Sequence, residues 1–413
     1  MAQKNLLADQ HICLVGREST YQTTATTMVR LALSGRQQPL GAQTREMLKS
    51  GDIGLYRHDP NQKILGREMG SPAPIAFEVK SIPTRLTASA TPAGPSSSSA
   101  LSHTIMYDHW LGGTHVDAGS TVAASPSPTV GGCTVASGHG SRFVVGGIIG
   151  FAGVPRVVTA VSTDAITWYP ELSAAPSAGD VITNSFSHYR AEAQTQSLTV
   201  ETAYYETGTP EDQRRARGVV GQCAWAAEMG QLGKVTFSGV SASTDGPGDL
   251  SITVAEAADD MGASIRWDGV ADMFVSGTTS APTHACIRSI KPAVPNKWTM
   301  VPCGSDENTV SSAVATGGRE DPVTVELEMR FDSAMYTGFE AGTKYTLFAY
   351  TTQGTGSAMR TVGWYFPTLS FAEKPVEREQ DGLIYITAKM EALQSSVTSG
   401  SDPGRSPATL FLM

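Results

Sequence analysis

The chain has 413 residues, a net charge of −9 and only 17% charged residues, which argues against a protein that grips nucleic-acid phosphates through Lys/Arg clusters. With 42 Gly, 23 Pro and 40% hydrophobic residues it fits many short strands and turns around one large or two ordinary cores, and it excludes a helical bundle. A surface so poor in charge suits a protein whose faces are buried in an assembly.

In chain order, the start MAQKNLLADQH lacks the apolar core of a signal peptide, and no run is long and apolar enough to span a membrane, so neither a cleaved leader nor membrane anchoring is expected. Residues 1–74 read as an N-terminal arm and loop, with one helix at Thr23–Leu33. A strand follows at Ile75–Ile82, where Ile75, Phe77 and Val79 alternate with their neighbours. The Ser/Gly-rich stretch 86–140 reads as a long flexible loop: no Lys or Arg occurs between Arg85 and Arg142, and LTASATPAGPSSSSA cannot bury enough apolar surface to fold alone. Within it, Ser102–Trp110 predicts a short helix stopping at Gly112-Gly113. An inserted β unit is expected over 143–189, with hairpin turns at Gly146-Gly147 and Ser162–Asp164.

Ser197–Tyr205 predicts a strand, and Thr209-Pro210-Glu211 the capped start of a helix running to Arg217 before Gly218. Lys234–Val240 is the next strand. The second half repeats the order: a strand at Val323–Arg330, a helix Ser333–Ala341 capped by Asp332 and stopped at Gly342, then a strand at Tyr345–Tyr350. LTVE ending at Glu201 and VTVE ending at Glu326 head the two patterns. The repeat predicts a first β domain over 75–245 and a second over 246–393, with the boundary in SASTDGPGDL (241–250) and a C-terminal tail over 394–413, polar except for its end TLFLM and a second candidate arm.

Chemical motifs are sparse. His103, Asp108, His109, His115 and Asp117 fall close together and are residue types that suit a divalent metal, but their spacing matches neither HExxH nor His-x-His, so hydrogen-bonded loop histidines are the expected reading. Gly138-His139-Gly140-Ser141 puts a His near a Ser with no evident acid, and no G-x-S-x-G, Walker A or GxGxxG occurs. No catalytic, cofactor-binding or metal residue is therefore expected. Cys13, Cys133, Cys223, Cys286 and Cys303, without a CxxC, read as reduced, mostly buried thiols. Glu326 and Glu328, alternate on one strand, read as a solvated acidic face. Arg214, Arg215 and Arg217 form the one basic cluster, either a solvated helix face or a contact with an acidic patch on a neighbouring subunit.

Three stretches carry a resemblance. VGREST at Val15–Thr20, continued by Tyr21, Gln22 and Thr23, is similar to the Gly-x-Glu-x-x-Tyr-Gly-Thr start of phage tail proteins, with Gln22 at the second Gly position. The run Arg156–Tyr189, leading into an SLT strand at Ser197, resembles a segment of two-domain tail tube (major tail) proteins of long-tailed phages, and Gly363–Met390 resembles their closing strands. The resemblance implies a mainly β fold with a few short helices: two β-sandwich domains whose strands join those of neighbours in a ring-shaped β-barrel. It also implies a trimeric ring of pseudo-sixfold symmetry, stacked into the tube through which DNA is ejected, with terminal arms and the long loop ordering on the next ring. The implied partners are further copies, a tape measure protein in the lumen, tail terminator and tail tip proteins, and double-stranded DNA in passage. The implied place is the virion tail, assembled in the bacterial host cytoplasm. Glu201, Glu326 and Glu328 are the expected lumen-lining acids, repelling phosphates over about 8–10 Å. A distal tail or baseplate ring protein is the alternative within the same particle. Outside it stand a carbohydrate-binding β-sandwich and a metal-dependent hydrolase built on His103–Asp117.

Overall fold

The computed structural model of the chain describes residues 11–31, 33, 40, 47–49, 64–67, 73–79, 102–183, 185–191, 197–206, 209–248, 250, 252, 266–276, 283–284, 287–296, 298–301, 312–315, 321–354, 360–394 and 402–413. They form a mainly β protein with large antiparallel sheets.

Of the expected arm, residues 11–17 are built into a sheet. β1 (His11–Arg17) pairs along its length with Leu198–Glu206, and Cys13, Leu14 and Val15 are fully buried. The expected helix at Thr23–Leu33 is absent. Its threonines favour extended backbone, and Val29 and Arg30 pair with Val15 and Leu14 of β1. β2 (Ala73–Val79) is the predicted strand, with Ile75, Phe77 and Val79 buried.

α1 (Ser102–Leu111) forms where expected and buries Ile105, Met106, Tyr107, Trp110 and Leu111. It passes at Gly112, with φ of 92°, into β3 (Gly112–Asp117). The later part of 86–140 is therefore ordered structure, while 86–101 lie outside the described residues. Strands from Ser120–Thr121 to Val181–Thr183 form a separate six-stranded sheet around a small core of Val122, Phe143, Ile149, Val158, Ile166, Trp168 and Ile182. The inserted unit thus starts earlier than 143. Its Ser and Gly residues, which suggest a linker by composition, fall in strands as well as turns, Ser120 and Gly132 among them. Val154–Ser162 and Ala165–Tyr169 make the expected hairpin, with Thr163 at φ 52°. Gly146-Gly147 makes a turn without a strand before it.

β4 (Ser185–Arg190) returns to the main sheet, followed by β5 (Leu198–Glu206) and the twenty-residue β6 (Thr209–Glu228). No helix forms at Pro210–Arg217. β5 pairs with this stretch on one side and Ser243–Gly248 on the other, so both rows of backbone groups find strand partners and the helix cap is overridden. The stretch 241–250, read as a boundary, contains that flanking strand. β7 (Lys234–Ser241), β8 (Ile287–Ala293) and β9 (Val323–Arg330) follow. α2 (Ser333–Glu340) matches the prediction: the Asp332 carboxylate accepts from Ala334 N at 2.9 Å. Next come β10 (Tyr345–Gln353), β11 (Arg360–Phe371), β12 (Val376–Gln380) and β13 (Leu383–Leu393). β14 (Thr409–Leu412), the apolar end of the expected C-terminal arm, is built into the chain's own sheet: it lies between β4 and β11, with Leu410, Phe411 and Leu412 buried.

One core runs through both halves, from Cys13 to Leu412. At its centre Trp364 meets Trp110 and Trp225 edge-on, with ring centroids 5.6 and 6.0 Å apart, and Trp225 meets Trp267 at 5.8 Å. The inserted unit docks on the second half through Ile148, Val157 and Tyr169 against Phe274, Phe348 and Tyr350.

Candidate functional site: an open sheet face across both halves

Seven strands follow one another edge to edge in the order β2, β7, β6, β8, β9, β13, β12. The first three belong to the first half of the chain and the last four to the second. Their junction is short: Ala227 and Glu228 of β6 pair with Ile290 and Ser289 of β8, and Met229 N donates to Arg288 O at 2.6 Å.

Period-2 alternation gives this sheet two unlike faces. Phe77, Phe237, Trp225, Leu327 and Ala388 point into the core. The opposite face carries Ala76, Thr236, Ser238, Gln222, Ala224, Ala226 and Thr324, interleaved with charged residues and partly or fully exposed. The acids are Glu78, Glu228, Glu326, Glu328 and Glu391; the bases are Lys234, Arg288, Lys291, Arg330, Arg378 and Lys389. Six against five leaves a net charge of only +1. Most of these groups are paired: Lys234 with Glu78 at 3.7 Å, Lys291 with Glu326 at 3.0 Å, and Arg288 with both Glu228 and Glu328 at 3.7 Å. Arg288 also lies over the Tyr385 ring at 5.2 Å and donates to Gln380 Oε1. One guanidinium thus ties β6, β8, β9, β12 and β13 across the junction of the halves.

Glu326 and Glu328 share this face, as their spacing predicts, but basic residues of the same chain neutralise them. Glu201 does not belong to it. It is 2% exposed and faces Arg215 in the β5–β6 register, where the two form an ion pair. The three residues expected as an acidic lining therefore do not make one: two lie on a face whose charges almost cancel, and the third is off it. Nor do the three arginines present free charge to a neighbour: Arg214 meets Asp212 at 3.3 Å and Arg217 meets Asp245 at 2.9 Å. Arg288 has no signal in the sequence, because its role depends on strand register between segments far apart in the chain.

The proposed metal cluster disperses. Asp108 pairs with Arg17 and with His188 Nδ1 at 2.8 Å, His109 Nε2 accepts from Gly221 N at 3.1 Å, and His115 Nε2 meets Asp117 at 2.9 Å. His103's side chain lies outside the described residues, among which no three His, Cys, Asp or Glu gather as metal ligands. Burial raises the Asp117 carboxyl above its ordinary range, against the opposing effect of His115 and Ser185. His139 Nδ1 lies 2.9 Å from Ser120 Oγ, not beside Ser141. Burial pushes the Cys13 thiol up to about 12 and that of Cys133 to about 11, so neither is a ready nucleophile.

Three positions of the Val15–Thr23 stretch have a physical account. A Cβ on Gly16 would stand 2.5 Å from Thr27 O. Glu18, fully buried, accepts from Gln22 N at 2.8 Å, Thr199 Oγ1 at 2.9 Å, Gly218 N at 2.9 Å and Ser197 Oγ. Gln22, standing where the pattern has Gly, has φ of 62°, a left-handed conformation that glycine adopts without strain.

No protein-family model matches the chain, and no curated protein is significantly similar to it.

Proposed function

We propose that this chain is a structural subunit of a phage tail tube, assembling as stacked rings around a channel for DNA and catalysing nothing. The observation that carries this reading is the seven-stranded sheet crossing both halves, with one face on the core and the other uncovered and close to electrical neutrality. Copies arranged around an axis would turn seven strands each into a closed barrel with that face on the bore. The ion pairs would leave passing phosphates little net cationic charge to adhere to. The left-handed Gln22 and the Glu18 clasp support the resemblance to tail proteins independently. The pseudo-sixfold trimer and the tape measure, terminator and tip partners belong to the same proposal, as does the place in the virion tail.

The test is electron microscopy of virions carrying this gene product, with subunit copies counted. Many copies per tail, with the β2–β12 sheet lining the tube, is the expected result. A single ring at the tip would favour the distal tail reading, and absence from the tail would end both.

A further inference from the structure

The six strands of the inserted unit close on themselves. In the order Ser120–Thr121, Val181–Thr183, Ile148–Phe151, Val154–Ser162, Ala165–Tyr169, Gly132–Thr134, each pairs with the next. Val122 and Val135 then bridge the last to the first, with Ala123 N donating to Thr134 O at 2.8 Å and Ala136 N to Thr121 O at 3.1 Å. A closed barrel has no long sheet edge to share with the body. The chain enters it after Asp117 and leaves it before Ser185, which face each other in the β3–β4 register. A two-strand neck leaves rotation about it to be fixed by the docking contact. That contact is made on a second layer of strands. Val270–Val275, β10 and β11 turn Met273, Leu347 and Trp364 to the main core, and Phe274, Phe348 and Tyr365 to the barrel. The barrel and the bare face of the seven-stranded sheet thus lie on opposite sides of one core.

Apolar contact is non-directional, so rings resting on rings do not choose one bearing. Within this contact lies an ion pair. Arg156 of the barrel is 5% exposed and Asp272 of the body 3%, and their Nη1 and Oδ2 are 3.8 Å apart. Nη1 also donates to Pro155 O at 2.7 Å, while the buried Nε makes no hydrogen bond. Tyr350 Oη donates to Asp272 Oδ2 at 3.3 Å. Burial lowers the Arg156 pKa from its ordinary value despite Asp272 opposite it, so the pair offsets only part of the lost hydration.

We propose that Arg156 and Asp272 form an orientation key: a buried ion pair that lowers stability relative to apolar residues and holds the barrel in a single pose on the second half. Directional charge fixes a bearing that apolar contact leaves open. The key acts within one chain, so it stands apart from whether copies associate. Were the bare face to line a bore, the key would give the barrel one fixed bearing on the outside of every copy.

Urea unfolding and double electron–electron resonance of the full chain test it. Spin labels go on Ser162→Cys in the barrel and Glu340→Cys on α2, both exposed positions, with Cys286 and Cys303 replaced by serine. Arg156→Met and Asp272→Leu, each alone, strand a buried charge and should lower the urea midpoint by about 1 M. Arg156→Met, Asp272→Leu and Tyr350→Phe together remove the pair and the hydroxyl that leans on it. This triple variant should unfold at the parent's midpoint or above, yet spread the distance between labels over a range about twice as wide. A triple variant less stable than the parent, or unable to fold, would mean that the pair stabilises the docking. A distance distribution as narrow as the parent's would mean that apolar packing alone sets the pose. Single variants as stable as the parent would show that the pair is not felt. Each of these results overturns the key.

Discussion

The two halves of the chain begin alike and then part. Leu198–Glu201 and Val323–Glu326 each open a strand, and each strand is followed by a segment carrying a helix-start signal. In the second half the helix forms: β8 ends its pairing at Met329, Phe331 N makes a last bond to Ile384 O, Asp332 caps α2, and Met335 and Gly338 turn to the core. Gly338 is required there, since a Cβ would stand 2.0 Å from Tyr345 Oη. In the first half the corresponding segment continues as β6 because strands flank it on both sides, and the Arg215–Glu201 ion pair braces β6 against β5. A local cap decides the conformation only where no strand edge competes for the backbone.

This contrast can be broken from either side. The largest effect is expected from Arg215→Ala, which leaves Glu201 buried without its partner: a loss of about 3 kcal/mol in urea unfolding. A loss below ~1 kcal/mol would mean that strand pairing alone holds the first half extended. Asp332→Ala should cost about 1 kcal/mol by removing the α2 cap, with the rest of the protein unchanged by amide exchange. Gln22→Gly should raise stability by about 0.5–1 kcal/mol, because it relieves a left-handed glutamine within the clasp that orders the first half. An unchanged or lower melting temperature would show that Gln22 compensates for its strain through contacts of its own. Lys291→Ala, which removes one exposed ion pair of the open face, should change stability by less than ~0.5 kcal/mol and leave the monomer's fold intact.

Much of the architecture is legible in the residues. The alternation in Ile75–Val79 and Val323–Arg330, the α1 run of Ile105 to Leu111 and the Asp332 cap are local signals, and the local fold obeys them. What cannot be read is pairing at long range. β1 depends on Leu198–Glu206, and the helix at Pro210 is lost to Ser243–Gly248. The strands at Gly112 and Gly132 are masked by a composition that also suits linkers. The candidate face was half visible: the 326/328 spacing puts two acids on one side of a strand. Their neutralisation by Lys291 and Arg288 required knowing that β8 is the neighbour. Glu201 was misjudged for the same reason, since only register reveals Arg215 opposite it.

The position of β14 also bears on biogenesis. This four-residue strand is laid between β4 and β11, which are more than 150 residues apart in the chain, yet it is translated after every other described element. While the ribosome is still making it, both flanking strands have a vacant rim, and the core that Leu410 and Leu412 complete stays unsealed. Closure of this part of the sheet therefore waits for β14, and truncation before Thr409 would leave uncovered the two strand edges, on β4 and β11, that it joins.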